Sequence, residues 1–91
     1  DSIMKRVAEH YGIRVVDMKS RKRTKDIAQP RQVAMYIARE LTEASLSEIG
    51  KVIGGKDHAT VIYAAKQIKA RRAKDDSFDR MIKKLRSKLR Q

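Results

Sequence analysis

The stretch SLSEIGKVIGGKDHATVIYAA, Ser45–Ala65, decides how this chain is read. Ser45 and Glu48 stand three apart ahead of an apolar run, the spacing of a capping box. A helix of about two turns follows, with Leu46, Ile49, Val52 and Ile53 as its apolar residues. Gly54 and Gly55 end it, and Asp57 is a good N-cap for the next helix. That helix buries Val61, Ile62, Ala65 and Ile68. A short helix, a glycine turn and a longer helix make a helix-turn-helix, placed at about residues 45–73.

The same stretch poses a chemical question. The chain carries a formal net charge of +12, yet an acid and a histidine, Asp57 and His58, open the second helix. Three readings compete. The run Gly50–Asp57 matches G-x-x-x-x-G-K, but a phosphate loop next needs Ser or Thr for magnesium. Asp57 stands there instead, and the segment before Gly50 is a capped helix rather than a strand. A metal or catalytic pair finds little support, because His10 is the one other histidine and no carboxylate cluster accompanies it. The bland alternative is that Asp57 only caps and His58 is only solvated. The third reading uses the motif: the first residues of its second helix point at base edges. A carboxylate accepts from a cytosine amino group, an imidazole N–H donates to guanine, and Ala59 and the Thr60 methyl suit a thymine methyl.

Composition bounds the rest. Ninety-one residues suit one domain over residues 1–91 with a thin core. Lys plus Arg number 23 against 11 Asp plus Glu, an excess that favours a polyanionic partner. There are no cysteines, so disulfides and thiolate metal sites are excluded. No apolar run reaches the ~20 residues of a membrane span, and no signal peptide is visible. An opening on Asp1 suggests a piece of a longer protein.

Periodicity is helical almost throughout, so the expected fold is all-α: a compact helical bundle containing the helix-turn-helix. Ile3, Val7, Ala8 and Tyr11 define a first helix, with Ser2 able to cap it and Gly12 to end it. A short helix is read around Val15 to Met18. The basic stretch from Lys19 to Asp26 reads as a loop, and Pro30 is placed near the start of the next helix. Val33, Ala34, Ile37 and Leu41 form that helix's buried stripe. A last helix starts near Ser77, with Phe78, Met81, Ile82, Leu85 and Leu89 inward.

GGKDHATVIYA, Gly54–Ala64, resembles the signature of the C-terminal DNA-binding domain of the bacterial replication initiator DnaA family. QPRQVAMYIARELT, Gln29–Thr42, and SLSEIGKVIGG, Ser45–Gly55, are similar to the same family, and the likeness runs from about Ser2 to Leu89. The resemblance implies binding of DnaA boxes in double-stranded origin DNA. It implies that Arg23, in the basic loop, enters the minor groove, and that Asp57, His58, Ala59 and Thr60 face the major groove. Backbone contacts are expected from Lys22, Lys25, Arg31, Gln32, Ser47, Lys56 and Lys66. Three departures stand out: Ala59 replaces the family's Thr, Tyr63 its His, and Lys56 its Arg, which loses the planar fork.

The family's ATPase module, with its ATP and Mg, is expected upstream and not in this chain, so no enzyme activity and no cofactor are expected here. A monomeric domain acting in the bacterial cytoplasm, at the nucleoid, is the corresponding expectation. Two rivals remain. One is a free-standing helix-turn-helix repressor. The other is a protein of the membrane surface, since the last helix is basic and amphipathic and acidic phospholipids are a conceivable partner.

Overall fold

Residues 33–38 of the third helix, Val-Ala-Met-Tyr-Ile-Ala, are all buried. A helix buried all round must run through the middle of its domain, and this one does. The computed structural model describes residues 2–20 and 24–90, which form six helices in the order α1 Ser2–Tyr11, α2 Val15–Lys19, α3 Lys25–Leu41, α4 Leu46–Val52, α5 His58–Lys74 and α6 Asp76–Leu89. No strand occurs among the described residues. Helix α3 packs against α1, α2, α4 and α5, and α6 closes the bundle over α1 and α5.

The core combines the expected aliphatic stripes with methionine. Val7, Val33, Ile37, Val61 and Ile82 have no exposed surface, each worth about 1.5–3 kcal/mol of burial. Met4, Met18 and Met35 are buried with them. Flexible thioether chains fill the uneven gaps that remain where six short helices cross.

Ion pairs and amides fasten the helices at the rim. Arg72 on α5 donates to Asp79 of α6 at 2.6 Å and to the Tyr36 hydroxyl of α3 at 2.8 Å. Arg71 lies over the Phe78 ring, 4.2 Å from its centre, and donates to Gln29 at 2.6 Å. Gln29 passes the link to the Tyr11 hydroxyl of α1 at 2.9 Å. Arg86 reaches Glu40 across the α3–α6 seam at 2.9 Å.

A single residue, Asp75, separates α5 from α6. Its N–H donates to the Arg71 carbonyl at 2.9 Å, closing one helix. Its carboxylate accepts from the Phe78 amide at 3.0 Å, opening the next.

The last helix starts at Asp76, next to the expected Ser77, with Asp75 as its cap. Three local expectations change. Helix α3 starts at Lys25, so Lys25 and Asp26 belong to its first turn and not to the loop. Pro30 therefore lies inside α3, five residues past its first residue, and is buried. Its missing N–H leaves the carbonyl of Asp26 without a helical donor, and Asp26 is exposed, where water can serve it. Val52, in the apolar pattern of α4, is 45% exposed: Ile49 and Ile53 already fill the face turned to the core.

Candidate nucleic-acid interface

The helix-turn-helix is built by local hydrogen bonds. The Ser45 hydroxyl accepts from the Glu48 amide at 3.1 Å, and the Glu48 carboxylate accepts from the Ser45 amide at 3.1 Å, so the capping box is complete. At the far end, Gly54 and Gly55 take φ of 83° and 62°. That left-handed region admits glycine without the steric cost of a Cβ, and two such residues in a row turn the chain between α4 and α5.

Gly50 sets how closely the turn folds back. The Lys56 amide donates to the Gly50 carbonyl at 2.7 Å. A Cβ on Gly50 would lie 2.3 Å from the Lys56 carbonyl oxygen, so no larger residue fits without moving the turn.

Asp57 does cap α5. Its Oδ1 accepts from the Thr60 amide and from the Thr60 hydroxyl, both at 3.0 Å. The amide bond first, then the hydroxyl, holds the Asp57 carboxyl below its usual range, so it is ionised at neutral pH. Both bonds use Oδ1, which leaves Oδ2 to accept from an outside donor. The Thr60 hydroxyl is committed to the cap, so its methyl is what it offers a base. Asp57, His58 and Ala59 are exposed and Thr60 is half-buried. All four leading side chains of α5 are thus at the surface.

The other anticipated residues divide. Gln32, Lys56 and Thr60 line one cleft of about 200 Å³ between the N-terminal part of α3 and the flank of α5, together with Thr24, Arg31 and Tyr63. Lys25 is exposed at the first position of α3. Ser47 is exposed on α4, and Lys66 lines a separate cleft with Tyr36, Arg39 and Lys69. Lys22 and Arg23 lie outside the described residues. Among the described residues no group of three His, Cys, Asp or Glu could hold a metal ion, and no helix is long and apolar enough to cross a membrane.

Arg31 takes a place that its sequence neighbourhood did not foretell. It is 6% exposed. Its Nε donates to the Met18 carbonyl at 3.0 Å, and its Nη2 donates to the carbonyls of Asp17, at 3.1 Å, and Ser20. Burial pushes the guanidinium pKa down. From the other side Gly54 presses on it: a Cβ there would come within 3.1 Å of Arg31 Nε. Arg31 therefore binds the end of α2, where the basic loop departs, to the turn of the helix-turn-helix. Tyr63 and Thr24 also enter the site. Tyr63 stood out in the sequence only as a departure, and Thr24 gave no signal beyond its position beside the basic run.

Comparison with known proteins agrees with this geometry. A family described as the bacterial DnaA protein helix-turn-helix matches residues 1–68. The chain is 54% identical over 80 residues to the chromosomal replication initiator protein DnaA of Thermodesulfovibrio yellowstonii, covering 88% of this chain and 18% of that protein. It is 49% identical to the DnaA of a Geobacter species, over 98% of this chain and 19% of the relative. For Burkholderia multivorans DnaA the figures are 47%, 99% and 17%. The chain thus spans about a fifth of the length of these relatives. Six helices among the described residues, two of them a glycine-turned pair, and a family match that takes in α4 and most of α5 show that the chain belongs to the bacterial DnaA helix-turn-helix family.

Proposed function

We propose that this domain binds double-stranded DNA at DnaA boxes of a replication origin, as the DNA-reading part of a chromosomal replication initiator. The observation that carries the reading is the row of exposed Asp57, His58 and Ala59 with half-buried Thr60 at the N-terminus of α5, just after a two-glycine turn. In a helix-turn-helix those positions enter the major groove. Asp57 Oδ2 accepts from a cytosine amino group, the His58 imidazole donates to a guanine edge, and Ala59 and the Thr60 methyl meet thymine methyls. Arg23 reads the neighbouring minor groove, where a narrow A·T-rich segment concentrates negative potential.

Phosphate contacts supply orientation and most of the affinity. Lys22, Lys25, Gln32, Ser47, Lys56 and Lys66 are assigned to them. Arg31 is assigned a different part: it fixes the base of the loop against the turn, so that both reading elements keep one spacing.

The membrane-surface rival loses its main support. Phe78, Ile82 and Leu85 on the apolar face of α6 are buried in the core, with Met81 and Leu89 half-buried against it, so little of that face remains to enter a lipid interface.

The test is selection of duplexes from random sequence, followed by footprinting on the selected site with wild type, His58→Ala and Arg23→Ala. A single enriched box, protected in adjacent major and minor grooves, is expected. Enrichment of no sequence would overturn the assignment.

A further inference from the structure

The three tyrosines of this chain are used differently. The Tyr11 hydroxyl accepts from Gln29 at 2.9 Å, and the Tyr36 hydroxyl accepts from Arg72 at 2.8 Å. Both tie helices together. Tyr63 makes no hydrogen bond with another described residue and is 58% exposed. The other large apolar side chains left exposed among the described residues, Val16 and Val52, stand on α2 and α4. Tyr63 alone of these stands on α5, and it alone carries a hydroxyl.

Its position on α5 follows from helical spacing. Tyr63 comes three residues after Thr60 and four after Ala59, so it shares their face one turn further along. It lines the cleft of about 200 Å³ whose other wall carries Thr24, the N-cap of α3, with Arg31 and Gln32 of α3, and which Lys56 also lines. An element that fills a major groove has a sugar–phosphate strand along its flank. On this flank Lys56, the Gln32 amide, the Thr24 hydroxyl and the Tyr63 ring stand beside the apolar Ala28, Met35 and Ala64.

We infer that the cleft seats the sugar–phosphate strand bordering the groove, and that Tyr63 is a DNA-contacting residue there: its hydroxyl donates to a phosphate oxygen and its ring packs on the adjoining deoxyribose. The inference rests on the proposed entry of the first turn of α5 into the major groove. It assigns Tyr63 to affinity and register, because phosphate contacts carry no base information.

The test uses Tyr63→Phe, which removes one oxygen from an exposed position, and Tyr63→Ala, which removes the ring. Circular dichroism first establishes that both are folded. Binding is then measured on a duplex selected by the domain and on a random duplex. Tyr63→Phe is expected to weaken both about 10–150-fold, the range for a hydrogen bond to a charged acceptor. Tyr63→Ala weakens both further. The slope of log K against log salt stays unchanged in Tyr63→Phe, because no cation is lost.

Single methylphosphonate substitutions along each strand locate the partner. One position is expected to weaken wild type while weakening Tyr63→Phe no further. Binding of Tyr63→Phe within two-fold of wild type, or losses that add at every phosphate, overturns the inference. The underlying reading is judged separately by His58→Ala on the same duplexes. A selected-to-random ratio unchanged by His58→Ala defeats base reading by α5, whereas an intact His58 effect beside a silent Tyr63 defeats this inference alone.

Discussion

The Lys56 amide donates to the Gly50 carbonyl at 2.7 Å, and the Lys56 carbonyl oxygen lies where a Gly50 side chain would begin, 2.3 Å from an added Cβ. Gly50 thus meets Lys56 at both its amide and its carbonyl. This contact, more than the length of the turn, sets the distance between α4 and α5. Gly50→Ala must push the Lys56 peptide away, and both atoms in conflict belong to or adjoin the main chain. Overpacking a site that can adjust costs about 1–3 kcal/mol, and a clash with backbone lies at the upper end. Urea unfolding of Gly50→Ala is expected to show a loss of about 3 kcal/mol. A midpoint equal to wild type would mean that the turn can open freely.

Arg31→Met should separate folding from charge. Methionine fills much of the arginine's volume but takes the guanidinium donor from the carbonyls of Met18 and Ser20, while the Asp17 carbonyl keeps the Ser20 amide and hydroxyl. Leaving buried acceptors unmade costs about 1–3 kcal/mol apiece, and solvent can reach part of this set. A net loss of about 2–4 kcal/mol is expected in chemical denaturation. Arg31→Lys restores the charge but not the fork and should recover less than half of the loss. Full recovery by lysine would show that charge alone matters at this position.

His58→Ala removes a side chain that touches nothing essential to the fold and stands exposed at the first position of α5. Stability should change by less than about 0.5 kcal/mol. Binding to a selected site should weaken by about 1–3 kcal/mol and binding to random DNA by much less. Fluorescence anisotropy on both duplexes checks the difference, and equal losses on the two would remove His58 from base reading.

Salt dependence reports the phosphate surface as a whole. With about six to eight phosphates neutralised, affinity should fall by roughly three to four decades between about 50 and 200 mM salt. Lys56→Ala should reduce the slope by about one. Lys84→Ala, on the exposed side of α6, should leave it unchanged. A reduction by Lys84→Ala would place α6 on the DNA.

Acid should unfold the domain by a known route. The Ser45 amide holds the Glu48 carboxyl below its ordinary pKa, the Thr60 amide does so for Asp57, and the Arg72 side chain does so for Asp79. A depressed folded pKa means that the unfolded chain takes up protons first as pH falls. Stability is then complete above the ordinary carboxylate range of about 4 and is lost as pH drops through the lower folded values. The melting temperature should be level from about pH 5 to 7 and fall below about pH 4. Asp57→Asn keeps a capping acceptor that does not titrate, so its acid limb should be shallower. Identical limbs for the two proteins would take Asp57 out of the titration.

What could be read from sequence divides by distance along the chain. Ser45 with Glu48, Asp57 with Thr60, and the positive φ of Gly54 and Gly55 are all settled within four residues, and each was legible. So was most of each aliphatic stripe, which follows helical period, although Val52 is exposed and Ile62 only half-buried. Arg31 was not legible. Its acceptors lie 11 to 14 residues earlier, and in the sequence it is one more cation beside a basic run. Pro30 misled for a related reason: proline favours a first turn, but α3 begins at Lys25 and carries the missing bond inside its second turn. Met4 and Met35 gave no signal because thioethers fill space that only the assembled helices define. Tyr63 was visible as a departure and became interpretable when α3 supplied the facing wall.

Asp75 ends one helix and begins another without a residue to spare. Helix α5 is gripped at its head by the Gly50–Lys56 contact and at its tail by this shared cap, so it cannot tilt or slide without dragging α6 and the core along. When this surface meets a duplex whose groove is a poor fit, the protein has no slack to give. A duplex that bends to the helix is then expected to bind more tightly than a stiff one. Stiff and pliable base steps will then be sorted by how cheaply they yield, and the preferred site will extend to bases that no side chain reaches.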